Sequence, residues 1–177
     1  MLDTEIVVRD CRPGDLAAVQ AIYAHHVLHG LASFEEVPPD LEQIRERHAR
    51  VLAHGLPYLV ALLAGRVGGY AYALPYRPRS AYRYCVENTV YVDPERTGRG
   101  LGRALMGALV DSCAAAGLRQ MIAVIGDSGN AASIGLHASL GFARVALLPA
   151  VGFKHGRWVD SVVMQRALGP GDSTPPA

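Results

Sequence analysis

The chain is predicted to fold as a single α/β domain, a sheet with helices packed on it and a ligand site at a strand end. Three observations predict this. Segments with β-type and helical patterning alternate along the chain. A glycine-rich turn, Gly98 to Arg103, sits directly between a β run and the best amphipathic helix. A second strand–helix unit then follows at once, the arrangement that places ligands at strand ends in α/β sheets.

The elements justify themselves in order. Ile6 to Val8 is a short β-type run, and Asp15 opens a helix whose Leu16, Val19, Ile22, Tyr23 and Val27 recur at helical spacing. Pro38, Pro39 and Asp40 punctuate before a second helix, Leu41 to Ala53, with Leu41, Ile44, His48, Val51 and Leu52 as its apolar positions. Tyr58 to Leu63 reads as a strand, Gly65-Arg66 as a turn and Val67 to Leu74 as the antiparallel partner. A loop rich in arginine and proline, Pro75 to Arg83, leads to the β-branched run Cys85 to Val92, which stops at Asp93-Pro94. After the glycines a helix runs to about Ala116, with Leu101, Leu105 and Leu109 as its stripe and Gly117 as its stop. Met121 to Gly126 is a strand, Ala131 to Leu140 a helix, and Arg144 to Val151 and Trp158 to Gln165 two final strands. Residues 1–168 form the domain; the three prolines after Gly169 mark 169–177 as a disordered tail.

Composition narrows the function classes. Half the 177 residues are hydrophobic and under a fifth are charged, as in a soluble globular domain. A formal charge of +1 argues against nucleic acid, whose phosphates call for a large basic excess. Cys11, Cys85 and Cys113 lie far apart without a CxxC pair and read as free thiols in a reducing compartment. No apolar run reaches membrane-span length, and Met1 to Asp10 is unlike a signal peptide, so a cytoplasmic protein without a membrane partner is expected.

At Gly98-Arg99-Gly100-Leu101-Gly102-Arg103, glycines let backbone N–H groups approach an anion while the helix dipole favours negative charge. No Gly-Lys-Ser/Thr follows, and Arg103 stands where a dinucleotide fingerprint has its last glycine. Taken alone, the turn is equally an ordinary tight turn without a ligand.

The context of the turn is more specific. The runs VENTVYVDPERTGRGLGRAL, at 86–105, and AVIGDSGNAASIGLHASLGF, at 123–142, resemble the cofactor-binding core of the GCN5-related N-acetyltransferases (the GNAT superfamily). Within it, ASFEEVPP, PYRPRSAYRYCVEN and VGFKHGRWVDSVVMQ are similar to the phosphinothricin and methionine sulfoximine N-acetyltransferases, so the resemblance spans Ile6 to Gln165. It implies a GNAT fold, a mixed, twisted and splayed sheet flanked by helices, and acetyl-CoA as co-substrate with no metal. Val90, Tyr91 and Val92 are then expected to pair with the pantetheine amides. Gly98, Arg99, Gly100, Leu101, Gly102 and Arg103 would wrap the pyrophosphate, and Asn130 would hold the pantetheine arm. Thr97 departs from the pattern, which has Gln or Arg there.

Acetyl transfer to an amine needs a deprotonated nucleophile, a stabilised oxyanion and a proton for the leaving thiolate. The resemblance implies Glu87 as general base and His137 as the thiolate's proton donor. On the residues alone, Glu87 is equally a strand carboxylate paired with Arg77 or Arg79, and His137 a core histidine. Phe34, Arg77, Arg79, Tyr82, Glu87, Asn88 and Thr89 are expected around a small amino-acid-like acceptor, since guanidinium groups grip carboxylates and phosphinates bidentately. His25, His26 and His29 share a helix but lack an HExxH pattern, so they are read as lying beside the cleft. The GFKHGRW segment, again by resemblance, implies a homodimer. Acetylation of a different amine or a protein N-terminus, and a non-catalytic acyl-CoA-binding module, stay open as alternatives.

Overall fold

The computed structural model describes residues 5–176. Its elements run β1 (Ile6–Asp10), α1 (Leu16–His29), α2 (Leu41–Ala53), β2 (Tyr58–Leu63), β3 (Arg66–Pro75), β4 (Cys85–Val92), α3 (Leu101–Ala115), β5 (Gln120–Gly126), α4 (Ala131–Ser139), β6 (Ala143–Lys154) and β7 (Arg157–Ala167). One seven-stranded sheet has the order β1-β2-β3-β4-β5-β7-β6, antiparallel except for the β4–β5 pair. This is the mixed sheet that the resemblance implies.

Local chemistry accounts for the element ends. Asp40 caps α2 by accepting from the Gln43 N–H at 2.8 Å, while Gln43 accepts from the Asp40 N–H at 2.9 Å, a reciprocal capping box. Asp15 differs from the expected simple N-cap. Arg9 grips its carboxylate at 2.7 and 2.9 Å, and the Arg12 N–H donates to it at 2.7 Å, closing a short 3-10 turn ahead of α1. The β2–β3 turn places Ala64 and Gly65 both at positive φ, the conformation of a two-residue hairpin. His155 and Gly156 do the same between β6 and β7. These last strands are longer than the sequence suggests: β6 takes up Pro149 and Ala150 in a register shift between Leu148 and Gly152 and then runs on past Val151 to Lys154.

Helix α3 packs on one face of the sheet through Leu101, Leu105, Met106, Leu109 and Cys113, all buried. Helices α1 and α2 cover the other face, where Tyr58 stacks on Tyr72 at 4.8 Å and Tyr91 meets Tyr23 edge-on at 5.1 Å. Leu52, expected on the buried stripe of α2, is exposed, whereas Ile44, His48 and Val51 face inward. Beyond Gly169, where a disordered tail is expected, the Arg119 guanidinium donates to the carbonyls of Gly171 at 3.1 Å and Pro175 at 3.1 Å.

Candidate active site

The two parallel strands pair only from Cys85–Gln120 to Asn88–Ala123. Beyond that point they diverge, and β4 from Thr89 to Val92 has no partner on its β5 side. Side chains and backbone groups both alternate along a strand. The Asp93 N–H donates to the Gly68 carbonyl on β3, so Tyr91 turns its main chain toward β3 as well, while Val90 and Val92 turn theirs into the opening. One of these groups is taken: the Val92 carbonyl lies 2.8 Å from His26 Nε2, which donates to it from α1.

The opening is the core of a cleft that passes through the sheet. Its larger part has a volume of about 710 Å³ and is walled by Val90, Tyr91, Val92, Thr97, Gly98, Gly100, Leu101, Gly102, Arg103 and Asn130, with His26 and His29 on its α1 side. Gly98 and Gly100 have φ of +73° and +87°, a region that glycine enters freely and other residues rarely do. The Gly100 carbonyl accepts the first helical bond of α3, from Ala104, so the preceding N–H groups of Leu101, Gly102 and Arg103 have no helical partner and face the cavity end. Arg99 stands outside this lining. Arg96 is tied to the Leu63 carbonyl at 3.0 Å and to Asp93 at 3.4 Å.

The second part of the cleft shares Ala32, Val90, Tyr91, Asn130 and Ser133 with the first, and adds Phe34, Glu87, Asn88, Thr89, Val124, Gly126, His137 and Ser161. Burial raises the Glu87 carboxyl above its ordinary range, and the Arg77 charge pulls it partly back. Glu87 is therefore a half-buried carboxylate facing an open cavity, with a proton affinity suited to a base. Arg77 lies against the Tyr76 ring at 4.9 Å, and Tyr82 meets Tyr76 edge-on at 5.8 Å. Arg77, Arg79 and Tyr82 remain on the β3–β4 loop, outside the cavity lining.

His137 is 2 % exposed, behind Asn88. Its Nε2 lies 3.0 Å from Asn88 Oδ1 and its Nδ1 2.8 Å from the Ser133 carbonyl; the Asn88 amide in turn donates to the Ile122 carbonyl at 3.1 Å. Burial lowers the imidazole's proton affinity, so at neutral pH it is a neutral ring with one N–H. Both ring nitrogens face acceptor oxygens, so the single N–H serves either the Ser133 carbonyl, the shorter contact, or Asn88 Oδ1, according to the tautomer. The chain β5–Asn88–His137–α4 thus ties the sheet together where it begins to open.

Three residues were not singled out from the sequence. His26 was seen only as one of a histidine group, Ser133 precedes His137 by one helical turn, and Gly126 ends β5. A Cβ on Gly126 would lie 2.5 Å from the Leu31 carbonyl oxygen, so glycine is required where the α1–α2 connection crosses the strand. Among the described residues no cluster of His, Cys, Asp and Glu is placed to hold a metal ion.

The family model described as the acetyltransferase (GNAT) family matches residues 21–142. The chain belongs to that family. A phosphinothricin N-acetyltransferase of Alcaligenes faecalis is 56 % identical over 169 residues, covering 96 % of this chain and 86 % of the relative. An L-methionine sulfoximine/L-methionine sulfone acetyltransferase of Pseudomonas paraeruginosa is 43 % identical, with 95 % and 98 % covered. Among solved structures, a GNAT phosphinothricin acetyltransferase from Sinorhizobium meliloti in complex with acetyl-CoA superposes with a TM-score of 0.94. It is 46 % identical, with 97 % of this chain and 93 % of that one covered. This GNAT chain accordingly aligns along nearly its whole length, its cleft included.

Proposed function

We propose that the protein is an acetyl-CoA-dependent N-acetyltransferase acting on the amino group of a small amino-acid-like acceptor of the phosphinothricin or methionine sulfoximine type. The observation that carries this reading is the unpaired segment of β4, with Glu87 at one end of the cleft and the glycine turn at the other. The residues fit acetyl-CoA. Val90 and Val92 offer main-chain groups to an extended amide arm, the free N–H groups of α3 and Arg103 meet a pyrophosphate, and Asn130 stands between them. When bound, acetyl-CoA supplies a thioester acetyl group.

Glu87 takes the proton from the acceptor's ammonium, directly or through a water, and frees the lone pair that attacks the thioester carbonyl. Asn88, Thr89 and Phe34 line the space beside it and hold the acceptor. Arg77 brings positive charge near Glu87, which favours an anionic acceptor over a polyamine. His137 was expected to protonate the leaving thiolate. Its burial and its contact with Asn88 instead favour a positioning role, in which it fixes the Asn88 amide beside the reacting groups, and the leaving thiolate takes up the proton that the attacking nitrogen sheds as the amide forms.

A homodimer is part of this proposal. Strand β6 closes one side of the sheet order and exposes Val145, Leu147, Leu148, Val151 and Phe153, with Trp158 next to them on β7. Apolar surface gathered along a free strand edge is what a second copy would cover. A cytoplasmic location and the lack of a nucleic-acid partner also belong to the proposal; no helix among the described residues is long and apolar enough to cross a membrane.

The test is thiol release from acetyl-CoA with a panel of acceptors. Phosphinothricin and methionine sulfoximine should exceed lysine, spermidine and an N-terminal peptide in kcat/KM. A preference for the polyamine or the peptide would overturn the acceptor class. No release with any acceptor, despite a thermal shift with acetyl-CoA, would favour a binding module.

A further inference from the structure

The segment joining α1 to α2 crosses the mouth of the acceptor cavity and contributes Ala32 and Phe34 to its wall. It is anchored from two directions. On the helical side, the Tyr23 hydroxyl lies 2.8 Å from Ser33 Oγ and donates to Glu35 at 2.9 Å, and Arg47 grips Glu35 with two bonds of 2.7 and 3.0 Å. On the other side, Lys154 reaches over from β6. Its ammonium is buried, with only 2 % of the residue exposed, and Nζ donates to the Ser33 carbonyl at 2.7 Å.

Gly152 lies two residues before Lys154, on the same inward face of β6, while Val151 and Phe153 point outward. A Cβ on Gly152 would meet the Phe34 ring at 2.6 to 2.9 Å, so the ring rests on bare backbone. A lysine ammonium is costly to bury, and this one serves a loop carbonyl 121 residues earlier in the chain. Its position between the acceptor wall and the last hairpin gives that cost a purpose.

We propose that Gly152 and Lys154 are specificity-determining positioning residues for the acceptor: they seat residues 31–35 so that Phe34 stands as a fixed wall of the acceptor cavity. The inference rests on the acetyl-transfer reading for its kinetic arm. The lysine holds the Ser33 carbonyl, the glycine leaves room for the ring, and the helical anchors prevent the segment from sliding. The wall then discriminates acceptors by the shape of the side chain that must lie against it, a matter of one or two contacts.

The experiment combines Lys154→Met, Gly152→Ala, Phe34→Ala and the double variant Lys154→Met/Phe34→Ala. Methionine keeps the length and apolar character of the stem while removing the donor. Lys154→Met should raise the acceptor KM by roughly 10-fold, the scale of one lost charge-assisted hydrogen bond, and leave the acetyl-CoA KM unchanged. Lys154→Arg should restore part of it, and Gly152→Ala should imitate the loss by displacing the ring. In the double variant the losses should not add, because the lysine has no wall left to hold. Amide hydrogen exchange supplies a readout independent of turnover: residues 31–35 should exchange faster in Lys154→Met, with β3 and β4 unchanged. Additive losses, or unaltered exchange at 31–35, would overturn the inference. If the wild type transfers acetyl to no acceptor, the functional proposal fails, and the exchange result still decides whether Lys154 holds the segment.

Discussion

Burial raises Glu87 and Arg77 opposes that rise, and both effects have measurable signs. A carboxyl raised in the fold stabilises it fully below the unfolded pKa and loses that contribution as pH climbs through the folded value. At neutral pH the ionised Glu87 therefore costs stability. Glu87→Gln should raise Tm while reducing the rate by roughly 10²–10⁴-fold, as loss of the proposed general base would. Arg77→Ala removes the charge that restrains the shift, so the acidic limb of kcat/KM should move to higher pH. A limb that stays in place would mean that another group is titrating. If the ring acts through Asn88, as proposed, His137→Phe should lower kcat without removing a pH limb; loss of a limb would return the proton to His137. At this scale the sequence was informative where type and position coincide. Glu87, Asn88 and Thr89 gather on one stretch of β4, and Phe34 joins them. The arginines were less legible. Arg77 and Arg79 are close to Glu87 in sequence, but stacking on Tyr76 keeps Arg77 at the rim, and only the folded loop reveals that. Lys154 was invisible because its partner, the Ser33 carbonyl, is a backbone group remote in sequence.

Among the elements, strands and helices were readable wherever a cap or a period marks them. Asp40 with Gln43, the hydrophobic stripe of α3 and the glycine stop at Gly117 each identify a boundary by local chemistry. The C-terminal hairpin was underestimated because Gly152, after Val151, looks like a breaker, whereas the strand runs through it to Lys154 in an irregular register against β7. The opening between β4 and β5 had no local signal at all. It arises because β5 continues its pairing with β7 after it has left β4. The glycine turn at the start of α3 makes the corresponding prediction. Gly100→Val imposes a β-branched side chain on a φ of +87°, a strain of about 1–3 kcal/mol, and relaxation of the loop turns its N–H groups away from the cavity. Acetyl-CoA should then no longer raise Tm, although it stabilises the wild type by binding only the folded state. A preserved thermal shift would separate the pyrophosphate site from this turn.

For the whole molecule, the sheet has two unlike sides. β1 closes one with a short strand, while β6 closes the other with a long strand bearing exposed apolar residues. A charge placed in the middle of that surface must be buried or must prevent association. Val151→Asp should accordingly convert the proposed dimer to a monomer in sedimentation, with acetyl-CoA still raising its Tm. An unchanged sedimentation coefficient would place the interface elsewhere. Trp158 gives this surface a further property. It is the only tryptophan in the chain, 66 % exposed and edge-on to Phe153 at 5.2 Å. Fluorescence excited selectively through indole comes from this one position, beside the surface on which a second copy would settle. Association moves the ring from water into apolar contact, so its emission shifts to the blue as protein concentration rises and back to the red on dilution. The wavelength of that light is thus a label-free measure of the proposed dimer's affinity, already built into the hairpin.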